Sequence, residues 1–481
     1  MKTSIFAAFF GVPLVLLACS DSADPAAGPK ELDLGDVRQV LETNADIALA
    51  AYEDALATAE GLKDALQEFE ADPTQATLDA ARAAWLVARE PYGQTEVYRF
   101  RNSPIDSTDY SSEDGPEGDI NAWPLGEALI DYVVTNDSDF GTEQVGVSAH
   151  GTDANDGDAI DAEFAAANPH ENIIGNESIV IDAELLANTA TADDEHDVIA
   201  GYHAIEFLLW GQDLNDAGEA TTGSDREEAV KVGAAPNVAL GGQRPLTDFT
   251  TDPYASRRFT YLLVATDKLI EDLTQVRDGW VPGAPYRTAF TSVDSQADAK
   301  QRLAEILTGM GTLSEGELGG ERMQIAFSAN SQEDEHSCFS DNTHRDIWLN
   351  AEGVQNSFYG EYEGYDSTLD GEDDAGDRAV SGYGLDEFLV DAGLEDLADR
   401  LEDALAETED GYRAIDAAAR SGEPFDVLIQ STSSVAVSDT IIALNAQAGV
   451  ITEIADALDL GAVVDPDASA CDTENPSDEC P

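Results

Sequence analysis

A chain of 481 residues can bury one large or two ordinary hydrophobic cores, and 42% hydrophobic residues with only 18 prolines make it globular. Its 98 acidic against 24 basic residues leave a formal net charge of -74. That charge excludes nucleic-acid binding, which needs a basic footprint; an even spread of Asp and Glu with little Lys fits a salt-adapted surface whose self-repulsion salt must screen.

Lys2 opens a positive leader, and Ile5 to Leu17 is an apolar run too short to span a bilayer. It ends in Leu16-Leu17-Ala18-Cys19-Ser20, which resembles a bacterial lipobox. The resemblance implies a signal peptide over residues 1–18 and a lipidated Cys19 that anchors the protein to a membrane. It also implies a place in the bacterial cell envelope, facing the periplasm or exterior. Residues 19–34 read as an acidic tether, and no later stretch is expected to span a membrane.

Hydrophobic periodicity predicts an all-helical protein, since no run alternates with period two for long. Val37 to Phe69 reads as one long helix that Asp72-Pro73 breaks, and Thr74 caps a second one through Trp85 and Arg89. Arg82, Arg89, Arg99 and Arg101 cluster where basic residues are scarce, with Glu90, Glu96 and Asp106 as partners for a buried ion-pair network or a site. Ser103 to Gly118 is loop, and a helix is expected from Ala122 through Ile130 and Val134. Residues 136–161 form an acidic insertion. Its Asp153, Asn155, Asp156 and Asp158 lack the twelfth-position Glu of a calcium loop.

Glu195 to Asp213 reads as the next helix, with Val198, Ile199, Tyr202, Ile205, Leu208 and Leu209 as its apolar stripe. Further helices are expected at 254–276, 297–310, 347–358, 385–407, 409–420 and 434–458, with an acidic Gly-rich link at 361–377. Gly201-Tyr202-His203-Ala204-Ile205-Glu206-Phe207-Leu208 aligns with Gly382-Tyr383-Gly384-Leu385-Asp386-Glu387-Phe388-Leu389, a faint internal duplication in which only the first copy keeps the histidine. This predicts two antiparallel helical-bundle domains, 35–250 and 251–462, followed by an acidic tail at 463–481. Cys471 and Cys480 in that tail can close a small disulfide loop in an oxidising envelope, leaving Cys338 buried or a ligand.

The chemistry concentrates at His203 and Glu206. Three residues rise about 4.5 Å along a helix, so an imidazole and a carboxylate at this spacing can share a metal ion or simply hydrogen-bond to each other. His196, about 10.5 Å further back along the same helix, cannot bind the same ion. Zinc peptidases draw two histidines from one helix with a Glu as base, and the second histidine is missing here. A mixed N/O donor set suits iron at least as well as zinc.

Gly201-Tyr202-His203-Ala204-Ile205-Glu206 resembles the G-x-H-x-x-E signature of imelysin-like proteins (peptidase family M75), closest to the iron-regulated protein A branch. Trp85 to Glu96, Gly242 to Phe249 and Glu333 to Asp346 agree with it, over roughly residues 35 to 460. The resemblance implies a site between two bundles with His203, Glu206 and Glu96 as metal ligands. Arg89, Tyr92, Ser340, Asp341 and His344 would be neighbours, though Ser340 or Asp341 can equally cap a helix starting near His344. One transition-metal ion, iron or zinc, is the implied cofactor. The favoured function is a metal-binding envelope lipoprotein in iron acquisition or handling, with other envelope iron-uptake components as candidate partners. A metallopeptidase with Glu206 or Glu96 as base is the alternative, and a non-catalytic binding or scaffold lipoprotein the second alternative.

Overall fold

The computed structural model describes residues 31–109, 115–121, 123, 125–134, 144–145, 172–189, 198–212, 241–242, 244–330, 334–430, 434–464, 471–477 and 480. Cys19, the acidic positions 153–158 and His196 lie outside them, as does most of the acidic insertion. Two units are distinguished by contacts, Met1–Glu31 and Leu32–Pro481, and the described residues of the second are all-α apart from two short hairpins.

The long first helix, α1 (Leu34–Ala71), starts where Asp33 accepts the backbone N–H groups of Gly35 and Asp36. Thr74 and Thr77 form a reciprocal cap at the start of α2 (Gln75–Gly93). Short helices α3 (Glu117–Ile120), α4 (Glu127–Ile130) and α5 (Ala183–Thr189) precede α6 (Gly201–Trp210). Next come α7 (Ala255–Trp280), α8 (Pro285–Thr291) and α9 (Gln296–Thr312), which runs straight into a π-helix over Leu313–Gln324 and then α10 (Ile325–Ala329). The chain ends with α11 (Thr343–Tyr359), α12 (Leu385–Asp391), α13 (Glu395–Ser421), α14 (Phe425–Ile429) and α15 (Val435–Leu458). The hairpins pair β1 (Val133–Val134) with β2 (Gln144–Val145) and β3 (Glu361–Tyr362) with β4 (Val380–Ser381).

Several boundaries differ from expectation. The helix expected from Ala122 to Val134 is only α4, because Leu125 is spent on a parallel bridge to Val198 and Val133–Val134 enter a hairpin. The same bridge keeps Val198 out of the helix expected from Glu195, so α6 begins at Gly201. Helices expected at 385–407 and 409–420 resolve instead into α12 and the longer α13, because Gly411 sits inside helix against Thr440 rather than ending it. By length and composition α15 also meets the requirement for a membrane span. Its Val437, Ile441, Leu444, Ile451 and Ile454 are buried, and it packs on α13, α9 and the π-helix, as a core helix does.

In the core, α1 packs on α2, α7 and α9, so helices from either side of the boundary expected near 245–253 share one hydrophobic interior. The internal duplication is not confirmed. Gly201 opens α6 at φ +79, where a Cβ would fall 2.3 Å from the Ile120 carbonyl oxygen, and only glycine fits. Gly382 has no such backbone, and α12 starts three residues later.

Candidate functional site

All ten residues of α6 are buried, and its backbone is clamped by side chains from three directions. Trp85 Nε1 donates to the Tyr202 carbonyl at 2.9 Å, and Tyr261 Oη donates to the Ile199 carbonyl at 2.6 Å. Arg82 Nη2 donates to the Leu209 carbonyl at 2.8 Å, satisfying a group that the last turn of a helix leaves unpaired. Arg244, in the run Gly242–Phe249, has a scaffold role. Arg244 and Arg258 both pair with the buried Asp131 carboxylate, at 2.7 and 2.6 Å, and Arg244 reaches the Phe207 carbonyl.

His203 and Glu206 project from this clamped helix and are fully buried. His203 Nδ1 and Glu206 Oε2 lie 2.9 Å apart. The other carboxylate oxygen, Oε1, accepts both the backbone N–H of Ser340 at 2.9 Å and its hydroxyl at 2.6 Å. Burial pushes the Glu206 carboxyl well above its usual range and the His203 imidazole well below its own. His203 Nε2 is buried and has no hydrogen-bond partner among the described residues, although a buried ring nitrogen is normally satisfied.

A second histidine stands against the first. The rings of His203 and His336 meet edge to face, with centroids 4.7 Å apart. His336 Nδ1 lies 2.9 Å from Asp346 Oδ2, and the Ser337 hydroxyl donates to the same oxygen. Arg89 grips Asp346 Oδ1 through Nε and Nη2, at 3.2 and 3.0 Å. Burial would raise the Asp346 carboxyl, but Arg89 and the His336 hydrogen bond outweigh it and hold it ionised far below its usual range. Burial also lowers the pKa of the His336 imidazole, against the pull of Asp346. Its Nε2 lies 3.5 Å from Asn121 Nδ2.

Asn121 links this histidine to the rest of the polar cluster. Its Oδ1 accepts from Arg89 Nη1, and its Nδ2 donates to Glu96 Oε1 at 3.3 Å. Glu96 Oε2 in turn takes Arg322 Nη2 at 2.9 Å and Arg99 Nη1 at 3.1 Å. Burial opposes ionisation of Glu96, yet these two guanidinium groups pull its pKa down to about 2. Arg322 comes from the π-helix and also reaches Glu317, five residues earlier, at 3.4 Å. Side chains five apart diverge around an α-helix, so the wider turn is what brings both to Glu96 and Arg99.

The sequence-derived candidates therefore separate. His203, Glu206, Ser340 and Arg89 meet at one centre. Glu96 belongs to the same network but stands behind Asn121, held by two arginines. Tyr92 is buried beneath it, its ring 4.9 Å from that of Tyr202, with Arg89 above. Asp341 is buried at a left-handed φ of +57 in the tight loop that presents Ser340. His344 lies in a neighbouring network, its Nδ1 2.9 Å from Asp416, which Arg420 also holds; Arg345 pairs there with Glu90. His336 and Asp346 were not singled out from the sequence, though histidine is rare enough here, six in all, to have flagged the first. Among the described residues no three His, Cys, Asp or Glu side chains are grouped so as to hold a metal ion. Cys471 and Cys480 form a disulfide, and Cys338 is buried outside it.

A helical fold built around a buried histidine–carboxylate centre defines the class. The imelysin (peptidase M75) family model matches residues 48–451, and the chain belongs to that family. Iron-regulated protein A of Synechococcus elongatus is 38% identical over 79 residues, which cover 16% of this chain and only 20% of that protein. Two crystal structures share the fold. An iron-regulated protein A precursor from Parabacteroides distasonis, so described, superposes with a TM-score of 0.52 at 16% identity, over 89% of this chain and 98% of that one. An imelysin-like protein from Psychrobacter arcticus gives a TM-score of 0.51 at 15% identity, over 89% and 97%.

Proposed function

We propose that this imelysin-family protein is a metal-binding, iron-related component of the cell envelope, anchored through Cys19, which holds one transition-metal ion through His203. The observation that carries the reading is the fully buried, orphaned Nε2 of His203, whose Nδ1 lies 2.9 Å from Glu206. An imidazole with its Nδ1 on a carboxylate and its Nε2 unoccupied is the usual form of a metal-ligating histidine. The donor chemistry fits a borderline transition metal, which would supply Lewis acidity at that nitrogen when bound.

Holding is favoured over hydrolysis. A metallopeptidase needs a carboxylate available as base beside the metal-bound water. Glu206 is tied to His203 and Ser340, and Glu96 to Arg322 and Arg99. Metal analysis of the full chain purified without chelators tests the reading: about one iron or zinc ion per chain is expected, lost in His203→Ala. Chelator-free protein devoid of any transition metal, and unable to take one up, would sink it. Labelling by radioactive palmitate that disappears in Cys19→Ala checks the anchor separately.

A further inference from the structure

We infer that His336 is the second protein ligand of the metal held by His203, that Glu206 positions His203 rather than binding the ion, and that the ion is divalent. This rests on the metal reading above and goes beyond the pairing of His203 with Glu206 that the sequence motif suggests.

Three observations carry it. The two imidazoles are in ring contact at 4.7 Å although they come from α6 and from the loop before α11. Each has its Nδ1 2.9 Å from a buried carboxylate, Glu206 for His203 and Asp346 for His336. An ionised carboxylate so placed fixes ring orientation and raises ligand basicity, so that with the proton of each pair on the histidine Nδ1, Nε2 is the donor to the metal. Among the described residues His203 Nε2 has no partner, and His336 Nε2 has only the long 3.5 Å approach of Asn121. The same carboxylates are thereby removed from the donor set. Glu206 receives two hydrogen bonds from Ser340, Asp346 is gripped by Arg89 and Ser337, and Glu96 carries two guanidinium groups. Two neutral nitrogens without an anionic oxygen suit ferrous, zinc or cupric ions. A hard trivalent ion such as ferric iron needs anionic oxygen donors that this centre does not offer.

Metal-stripped full chain is titrated calorimetrically with Zn2+, anaerobically with Fe2+, and with ferric citrate. The Cu2+-loaded protein is examined by pulsed EPR, which counts coordinated imidazoles. Expected are one divalent ion per chain, two imidazoles, and ferric affinity at least 100-fold weaker. His336→Ala lowers Zn2+ affinity by 100-fold or more and leaves one imidazole. Glu206→Gln weakens it about 10–100-fold with both imidazoles retained. Should His336→Ala misfold, the imidazole count of the unaltered protein still decides. A single imidazole, or loss of all binding in Glu206→Gln with full binding in His336→Ala, overturns this inference while leaving the metal reading intact. Ferric binding as tight as ferrous overturns the divalent assignment. No binding of any ion by the unaltered chain overturns the metal reading itself.

Discussion

Two stretches of nearly the same letters meet opposite fates in this molecule. Gly201–Leu208 is wholly buried, with Glu206 hydrogen-bonded on both oxygens and Tyr202 packed beneath Arg89. Gly382–Leu389 is split: Leu385, Phe388 and Leu389 are buried, while Tyr383, Asp386 and Glu387 line an open acidic hollow of about 270 Å3 together with Phe358, Asp391 and Glu402. There Glu387 is exposed and the Tyr383 hydroxyl donates to Asp391 at 2.9 Å. The shared glutamate thus acts as a fixed structural member in one place and as part of a solvated coat in the other. What differs is the partner supplied from distant sequence: Ser340, Asp346 and Arg89 converge on the first copy, and nothing comparable among the described residues reaches the second.

The contrast between buried and solvated charge is open to direct attack. The largest expected effect concerns the coat: with a net charge of -74, the melting temperature should climb steadily from low to molar NaCl as screening tightens, and a flat response breaks the salt-adapted reading. Within the centre, Arg89→Met leaves Asp346 buried without its counter-ion and should cost about 3–5 kcal/mol by chemical denaturation. Glu206→Ala strands the two Ser340 donors and should cost about 1–3 kcal/mol, whereas Glu387→Ala should stay within about 0.5 kcal/mol. Equal losses in those two variants would show that the copies are not different environments at all. Thr74→Ala, which removes the reciprocal cap of α2, should cost about 1 kcal/mol. Smallest of all is Arg400→Ala: its pairing with Glu453 is exposed on both sides, and the melting curve should not move.

Much of the frame was legible beforehand because it is local. The apolar stripe of α1, the Asp72-Pro73 break and the Thr74 cap are written within a few residues of where they act, as is the helix carrying His203 and Glu206. The family followed from motifs that were likewise local. The site's completion was not legible. His336 meets His203 across 133 positions, and Asp346 meets Arg89 across 257, so neither pairing leaves a spacing to read. The histidine–glutamate pair illustrates the limit: its i, i+3 spacing was correctly seen to bring the groups together, but whether they share an ion or a hydrogen bond depends on Ser340, which no periodicity reveals. The π-helix escaped for a different reason. No motif or periodicity marks it: the wider turn belongs to the backbone winding of Leu313–Gln324 and brings Arg322 within 3.4 Å of Glu317.

That wider turn makes the segment unusually intolerant of a change in length. In an ordinary helix, dropping one residue rotates everything downstream by about 100°. Between Leu313 and Gln324 a single deletion would let the chain fall into the commoner winding, and Arg322 would swing away from Glu96 and from Asn350, to which it also donates. Homologues free to lengthen or shorten their surface loops should therefore keep this stretch to a fixed count of residues, a ruler set by winding rather than by any one side chain.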